Sequence, residues 1–388
     1  MANKKLKVGN VPNLRFPGFE GEWETKKLGG ICEINPKNES LPSSFIYIDL
    51  ESVSHGRLLK EDSVVKENAP SRAQRVLAKN DVLFQTVRPY QKNNLFFDKE
   101  EKYVASTGYA QIRTKQNFKF IFQYLHNQRF VDKVIERCTG TSYPAINSTD
   151  LGNILIHYPS LDEQQKIASF LSLIDERIQT QNKIIEELKS LKNTINKRLF
   201  SRQLRFKDDN GDCFSEWEVK EVGEVFTITR GNVLAMNLVE SNYNEKMPYP
   251  VYSSQTKSKG LAGYYKDYLF ENAITWTTDG ANAGDVNYRS GKFYCTNVCG
   301  VLINEDGNAN ACIAELINSV SKNYVSYVGN PKLMNGVMSE ITIPFPSIQE
   351  QQKIAKLLSF LDTKIDLEVQ LFQRLEVQKK YLLVNLFI

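Results

Sequence analysis

Residues 159–178 read PSLDEQQKIASFLSLIDERI, and residues 346–365 read PSIQEQQKIAKLLSFLDTKI. The two stretches share 12 identities in 20 aligned positions without a gap. Two shorter segments also recur: Leu-Arg-Phe at 14–16 and 204–206, and EWETKKLG at 22–29 as EWEVKEVG at 216–223. A period of roughly 190 residues is far longer than the repeat of a solenoid, so the sequence predicts a duplicated pair of domains.

Both repeated blocks are predicted to be long helices. Each opens with Ser, two residues and Glu (Ser160 to Glu163, Ser347 to Glu350), the pattern of a reciprocal capping box. Apolar residues then follow alternating steps of four and three residues over about five heptads, as in a coiled-coil seam. An amphipathic helix on a globular core is the alternative, which the narrow seams and charged outer faces disfavour. The predicted seam positions are Ile167, Leu171, Ile174, Ile178, Ile185, Leu188 and Ile195 in the first helix, and Ile354, Leu358, Leu361, Ile365, Phe372, Leu375 and Leu382 in the second.

Chain order predicts how these helices pack. The first helix leads from one variable region into the other and the second leaves that region, so packing them together makes them antiparallel. Polar residues interrupt the seams at Gln181, Lys192, Glu368 and Lys379. The repeated Leu-Arg-Phe segment also places the C-terminus near residue 14. The predicted fold is a tandem pair of α/β (α+β) domains separated by two long helices in an antiparallel coiled coil, in a circular arrangement with pseudo-twofold symmetry.

Composition excludes several classes of protein. The chain has 388 residues, of which 41% are hydrophobic, and a formal net charge of +4. A histone-like protein that coats DNA by charge alone is therefore excluded, although local basic patches are not. The sequence has no apolar run of about 18 residues and no apolar signal core at its start, so we expect a cytoplasmic protein without a membrane span. The scattered cysteines are expected to be reduced, and a zinc site built on Cys295 and Cys299 is disfavoured.

Catalytic signatures are missing from the sequence. The Asn-Pro pairs at 35–36 and 330–331 lack the rest of an adenine-methyltransferase motif, and no phosphate-binding glycine motif occurs. Asp81, Glu100 and Lys102 imitate a metal-dependent nuclease pattern, but Glu100 and Lys102 belong to the charged run DKEEK. We therefore expect the chain to bind rather than to catalyse, with no catalytic residue and no metal.

The variable regions, residues 30–157 and 224–343, share few identities although they occupy equivalent places in the duplication. Each mixes short β-rich stretches with polar loops, and a helix is predicted over 118–138. The loops are rich in side chains that can contact phosphates and base edges, which ordinary surface loops also contain. The candidate DNA-binding residues are Arg72, Arg75, Arg88, Tyr90, Lys92, Asn93, Thr107, Tyr109, Thr141, Ser142 and Tyr143 in the first region, and Arg230, Tyr252, Ser253, Ser254, Gln255, Lys257, Thr278, Asp279, Asn282 and Lys332 in the second.

The order of these motifs resembles a known family. Two variable regions each followed by PSxxEQQKIAxxLSxxD, with RFPGFEGEW at 15–23, TGTSYPAI at 139–146 and TTDGANAG at 277–284, look like the DNA specificity subunit of type I restriction-modification enzymes. The resemblance covers nearly the whole chain. It implies that each variable region is a target recognition domain reading one half of a split, asymmetric DNA sequence, and that the helices set the gap between the halves.

The same resemblance implies partners. Two methylation subunits would dock on the helices, and two restriction subunits would complete the nuclease. S-adenosylmethionine, ATP and Mg are then expected on those subunits and no cofactor on this chain, which would not form a homo-oligomer in the complex. Where the first half has the Pro-Gly turn of RFPGF, Phe206 is followed by KDDNGDCF, so contacts of that turn are not expected in the second half.

The predicted boundaries follow the duplication. They are a flexible N-terminus at 1–13, recognition domains at 14–158 and 201–345, a central helix at 159–200 and a C-terminal helix at 346–388. Two alternatives stay open at this point. One is a coiled-coil scaffold that links two protein-binding domains, and the other is a self-sufficient DNA methyltransferase or nuclease.

Overall fold

The computed structural model describes residues 9–38, 40–54, 56–100, 102–255 and 258–388. The chain divides into two compact units, one formed by residues 1–182 with 370–388 and the other by residues 183–369. Each unit combines one globular region with segments of two long helices. Residues 1–8 of the predicted flexible N-terminus lie outside the described residues, whereas the side chains of Asn10 and Asn13 make hydrogen bonds.

The first globular region consists of short strands and helices that lead into the first long helix. The strands are β1 (Glu24–Lys27), β2 (Cys32–Ile34), β3 (Ser44–Ile48), β4 (Val53–Ser54), β5 (Arg57–Leu58), β6 (Ser63–Val65), β7 (Ala73–Val76), β8 (Val82–Gln85), β9 (Leu95–Phe96), β10 (Tyr103–Ser106), β11 (Tyr109–Thr114) and β12 (Leu155–Tyr158). The helices are α1 (Leu28–Ile31), α2 (Phe118–Tyr124), α3 (Gln128–Ile135), α4 (Ser148–Gly152) and the long α5 (Leu161–Phe200). One sheet has the antiparallel order β2-β11-β8-β9, and another has the order β6-β3-β10-β7 with β3 and β10 parallel. Strands β1 and β12 pair separately, as do β4 and β5.

The second globular region is built on a larger sheet. Its strands are β13 (Glu218–Glu221), β14 (Thr227–Arg230), β15 (Tyr249–Tyr252), β16 (Leu261–Tyr265), β17 (Phe270–Thr277), β18 (Val286–Cys295), β19 (Cys299–Ile303) and β20 (Thr342–Phe345). The helices are α6 (Val222–Val225), α7 (Ala311–Ser321), α8 (Asn335–Ser339) and the long α9 (Ile348–Asn385). Six strands join in the order β14-β19-β17-β18-β15-β16, and β13 pairs with β20.

The two regions share a core sheet that their sequences do not reveal. The order β2-β11-β8-β9 of the first unit matches β14-β19-β17-β18 of the second, with antiparallel neighbours throughout. Pairing of strands depends on backbone hydrogen bonds and alternating burial rather than on residue identity, so this core persists while the side chains differ. The chain is thus a tandem pair of mixed α/β domains with two long helices, as predicted.

The helix predicted over 118–138 is wrong in one respect, because it is two helices. Helix α2 ends at Tyr124 and α3 begins at Gln128. Asn127 lies between them, and its side-chain oxygen accepts a hydrogen bond from the backbone amide of Arg129 at 2.8 Å. Its side-chain amide donates to the Leu383 carbonyl at 2.8 Å. An asparagine that caps a helix start and also binds a buried carbonyl favours a break over a continuous helix.

The long helices pack antiparallel in the first unit. Asp175 of α5 pairs with Lys379 of α9 at 2.5 Å, and Leu171 shares a buried core with Leu386. Higher numbers on one helix therefore meet lower numbers on the other. The backbone amide of Leu14 donates to the carbonyl of Asn385 at 2.8 Å, which confirms that the end of α9 lies near residue 14.

The second unit repeats this packing. Lys192 of α5 pairs with Asp362 of α9 at 2.9 Å, and Leu199 shares a buried core with Ile354. All predicted seam residues are buried or half-buried. Within the described residues no helix combines the length and the apolar character needed to cross a membrane.

The lysines that interrupt the seams form equivalent ion pairs. Asp175 aligns with Asp362 in the repeated block, and Lys192 and Lys379 lie the same number of residues after each. Each lysine therefore meets the aspartate of the other helix, one pair in each unit. An ion pair between the two helices forms in one register of the helices only, so these pairs favour the observed register.

Candidate nucleic-acid interface

An arginine clamp joins each globular region to its helix. The guanidinium of Arg15 donates to both carboxylate oxygens of Glu163 at 2.9 and 2.8 Å, and to the carbonyls of Gly21 and Glu20. Glu163 is only 2% exposed, and this hydrogen bond and charge raise the pKa of Arg15. The predicted reciprocal capping box is therefore half correct: Ser160 accepts from the Glu163 amide at 3.4 Å, but the carboxylate binds Arg15.

The second unit contains the same clamp. Arg205 donates to both oxygens of Glu350, which is 0% exposed, at 3.3 and 3.0 Å. The indole of Trp217 adds a hydrogen bond to this carboxylate at 2.7 Å. Arg205 also donates to the carbonyls of Phe214 and Ser215. The clamp thus survives although the Pro-Gly turn of the first half is absent, because the guanidinium binds main-chain carbonyls that another loop can supply.

The glutamine that follows each glutamate makes a second contact with the globular region. Gln164 accepts a hydrogen bond from the backbone amide of Asn117 at 3.1 Å, and Gln351 accepts one from the side chain of Asn310 at 2.8 Å. Asn117 and Asn310 are the residues that cap α2 and α7. The repeated Glu-Gln pair at the start of each long helix therefore has a structural role, because both side chains bind the globular region of the same unit.

A buttressed loop follows β8 in the first unit. The amide and hydroxyl of Thr86 both donate to the carbonyl of Gly108, at 3.0 and 2.8 Å, and the amide of Arg88 donates to the carbonyl of Pro144 at 2.8 Å. A neighbouring loop at 139–145 is closed by two backbone hydrogen bonds of 2.9 Å. Its tip exposes Tyr143, which is 65% exposed, and the guanidinium of Arg88 lies 4.1 Å from the centre of that ring.

The same framework follows β17 in the second unit. The amide and hydroxyl of Thr278 both donate to the carbonyl of Val298 at 3.0 Å, and the amide of Gly280 donates to the carbonyl of Pro331 at 3.0 Å. The loop at 326–332 is closed by two backbone hydrogen bonds of 2.9 Å and exposes Tyr327. The two units therefore hold equivalent loops with the same backbone contacts and present different side chains on them.

The structure sorts the candidate residues of the first unit into three groups. Tyr109 is buried in the core, so in this structure it offers almost no surface for the predicted contact with DNA. Lys92 and Asn93 make internal contacts: the ammonium of Lys92 donates to the His126 carbonyl and to Gln128 at 3.1 and 2.8 Å, and the Asn93 amide donates to Gln85. Burial lowers the pKa of Lys92 and of the half-buried Arg75. The half-buried or exposed residues on the loops are Arg72, Arg88, Tyr90, Thr107, Thr141, Ser142 and Tyr143.

The candidates of the second unit divide in the same way. Thr278 is buried and its hydroxyl hydrogen-bonds within the protein, so in this structure it also offers no surface for the predicted contact with DNA. The ammonium nitrogen of Lys332 lies 4.0 Å from a carboxylate oxygen of Asp279, and the guanidinium of Arg230 donates a hydrogen bond to the side-chain oxygen of Asn335 at 3.3 Å. Lys257 lies outside the described residues. The half-buried or exposed residues are Arg230, Tyr252, Ser253, Ser254, Gln255, Asp279, Asn282 and Lys332.

Sequence reasoning missed Arg289, which organises the loop of the second unit that follows β15. Its guanidinium stacks 3.7 Å from the centre of the Tyr252 ring, and it donates to the Lys259 carbonyl at 2.6 Å and to Thr275 at 3.0 Å. Burial lowers the pKa of Arg289. No pattern in the sequence marks it, because its partners come from three separate segments of the chain. Aligning 139–146 with 326–333 on their shared proline places Tyr327 opposite Gly140 and Asn330 opposite Tyr143. The exposure of Tyr327 is therefore visible in the structure and not in the alignment.

The residues that imitate chemistry have structural partners. Asp81 is buried and accepts two hydrogen bonds from Arg113 at 2.8 and 2.9 Å, and Glu100 pairs with Lys79. Burial raises the pKa of the Cys299 thiol to about 11, so this thiol is protonated at neutral pH. Among the described residues no group of three His, Cys, Asp or Glu side chains could hold a metal ion.

Comparison with known proteins gives one consistent result. The family model for the type I restriction modification DNA specificity domain matches residues 20–190 and 214–377. A Mycoplasma pneumoniae protein named as type I specificity subunit S.MpnORF289P N-terminus is 40% identical over 141 residues, covering 36% of this chain and 74% of that protein. A protein of Methanocaldococcus jannaschii, named as the specificity subunit of type I restriction enzyme MjaX, is 24% identical over 97% of this chain and 93% of its own length.

The fold has a solved counterpart. The crystal structure of the type I restriction-modification S subunit from M. genitalium superposes with a TM-score of 0.68 at 18% identity, covering 97% of this chain and 99% of that one. At this level of identity the likeness is one of fold alone.

Proposed function

The chain belongs to the type I restriction-modification DNA specificity family, and on that premise we propose that its two globular regions each read one half of a bipartite, asymmetric DNA target. By itself it would be non-catalytic. Methylation subunits docked on it would modify adenine, and restriction subunits joined through them would cleave DNA. S-adenosylmethionine, ATP and Mg would be bound by those partners. Because the DNA that it would bind lies inside the cell, we propose that the chain is cytoplasmic.

The observation that carries this proposal is the pair of equivalent loops with different side chains. Thr86 and Thr278 anchor the two loops by the same hydrogen bonds. The loops then present Arg88 and Tyr143 in the first unit, and Asp279 with Lys332 in the second. A constant frame with variable polar contacts suits two readers of different base sequences, since base edges are distinguished by donor and acceptor patterns.

Docking of two copies of one partner is supported by a repeated apolar position. Leu173 on α5 and Phe360 on α9 occupy equivalent steps of the repeated block and are 63% and 67% exposed. Each of them is a large apolar side chain outside the buried seam. A surface that occurs once in each unit favours one partner molecule for each unit.

The decisive experiment exchanges residues 30–157 for the corresponding region of another family member. Methylated adenines are then mapped on DNA from cells that contain the chimera and the methylation partner. We expect one half of the target to change and the other to stay the same, because the second region is untouched. The matched control exchanges 224–343 and should change only the other half. A change in both halves with either chimera would refute the modular reading.

The same preparation separates the alternatives. A scaffold that joins two protein-binding domains would show no salt-dependent affinity for DNA, whereas phosphate contacts make binding weaken steeply as salt rises. A self-sufficient enzyme would methylate or cleave DNA as the purified chain with cofactor alone. We expect salt-dependent DNA binding by the complex and no reaction by the isolated chain.

A further inference from the structure

The backbone of the loop after β8 is unusual at Arg88. Its φ is +54°, in the left-handed region that non-glycine residues rarely adopt. The loop holds this conformation through the Arg88 amide bond to Pro144 and through Gln85, whose side-chain amide donates to the Val87 carbonyl and to Gln91. A strained residue that its surroundings hold in place is a pointer to function.

The duplicated unit shows what this position requires. Gly280 occupies the equivalent place in the second unit, with the same amide bond to a proline carbonyl and a φ of +96°. Glycine adopts such a conformation without steric strain. Glycine therefore suits the backbone conformation at this position, whereas the arginine of the first unit adopts it at a cost in steric strain. A role for the Arg88 side chain that the second unit does not use would account for this strain.

The side chain of Arg88 is held ready for a ligand. Its guanidinium lies 4.1 Å from the centre of the Tyr143 ring, and its Nε is buried, so a ligand would be met by the two terminal nitrogens of the guanidinium. Stacking on an aromatic ring fixes the plane of the guanidinium, which makes its paired donors more selective. Thr141 and Ser142 are exposed beside Tyr143 at the tip of the loop.

We propose that Arg88, held by Tyr143, reads a guanine in the half-site of the first unit. This inference rests on the proposed function and names one specificity-determining residue for it. A planar guanidinium donates two hydrogen bonds to O6 and N7 of guanine in the major groove, and no other base offers that pair of acceptors. The second unit has Gly280 at this place and reads its half-site with other side chains.

The test uses the complex of the full chain with its methylation partner. The methylated target is first mapped in cells, and binding is then measured on duplexes in which each base pair of the target, other than the methylated one, is replaced in turn. Arg88→Gly introduces the residue that the second unit has at the equivalent position, Gly280, and removes the steric strain of the left-handed backbone. It should therefore fold like the wild type while its discrimination at one guanine of the first half-site falls by about 5- to 150-fold. Discrimination at the second half-site should not change.

Two further variants sharpen the result. Arg88→Lys keeps the charge without the planar fork and should recover affinity but little discrimination. Asn80→Gly relieves another left-handed residue of the first unit, with φ +73°, and should leave discrimination intact. The inference is overturned if the first half-site contains no guanine, if Arg88→Gly discriminates like the wild type, or if its affinity falls equally on all duplexes, which would assign Arg88 to a phosphate. If the wild type itself binds target and random duplexes equally, the proposed function fails instead.

Discussion

The clamp between Arg15 and Glu163 allows a quantitative prediction. Replacing Arg15 with Met removes two charge-assisted hydrogen bonds to Glu163 and two to the carbonyls of Gly21 and Glu20. Each bond to the carboxylate contributes about 1.5 kcal/mol and each bond to a carbonyl about 0.5 to 1 kcal/mol. The carboxylate left behind is only 2% exposed, so it cannot recover its hydration. We expect Arg15→Met to lower the free energy of unfolding by about 3 to 5 kcal/mol.

A double-mutant cycle separates the ion pair from the rest of this loss. The double variant Arg15→Met, Glu163→Met contains no buried charge, so it should be more stable than Arg15→Met alone, with a coupling energy of about 2 to 3 kcal/mol. Urea unfolding followed by circular dichroism measures the four proteins, and hydrogen exchange should locate the loosening at the start of α5. Lys26→Met breaks the exposed Lys26–Glu24 pair of the same unit and should leave stability nearly unchanged. Additivity of the two clamp variants within about 0.5 kcal/mol would refute the reasoning.

Three other outcomes are expected. Lys192→Met removes the cation that pairs with both Asp362 and Glu315 and leaves Asp362 with the more distant Lys259 at 3.7 Å, so it should lower the free energy of unfolding by about 2 kcal/mol at neutral pH. Burial lowers the pKa of Lys192, but its two carboxylate partners outweigh this effect, so the net pKa is raised. The stability that Lys192 contributes is therefore present below its unfolded pKa and is lost as the pH rises through its folded pKa. An equal loss of stability from Lys192→Met at neutral and at strongly alkaline pH would contradict this. Burial, with the charge of a nearby lysine, lowers the pKa of His126 to about 4. The unfolded chain therefore binds one more proton than the folded chain between about pH 4 and 6.5, and the stability of the wild type should decrease as the pH is lowered through that window. In matched urea titrations this decrease should be steeper for the wild type than for His126→Gln. Leu173→Ser and Phe360→Ser should each remove one of two methylation subunits, and the double variant both, as counted by native mass spectrometry; full occupancy in the double variant would place docking elsewhere.

The repeated glutamate shows where sequence reasoning reached its limit. Ser-x-x-Glu before an apolar run predicts a helix start, and α5 and α9 begin there. The role of the glutamate was different, because Arg15 lies 148 positions away from Glu163 and satisfies the carboxylate that a local cap would otherwise use. A charged partner distant in sequence outcompetes a local hydrogen bond, and no local pattern records it.

The candidate interface was predictable in outline and not residue by residue. The loops at 139–146 and 277–284 were identified from their motifs, and both belong to the equivalent loop frameworks of the two units. Tyr109 and Thr278 carry suitable polar groups but are buried, while Arg289 is enclosed by Tyr252, Thr275 and the Lys259 carbonyl. Exposure decides which polar groups can meet DNA, and exposure is a property of packing.

The sequence by itself determined the duplication, the two long helices, their seams and the family, because these are recorded in identity and in periodicity along the chain. Only the tertiary structure decided that the two divergent regions share one antiparallel core sheet and equivalent loops, and that Arg88 and Gly280 stand at the same place. The physical reason is that a helix is specified by neighbours three and four residues apart, whereas a sheet and a loop are specified by contacts between distant segments. Different residues can therefore occupy structurally equivalent positions in the two units. For this reason the two globular regions share a backbone framework and present different side chains on it.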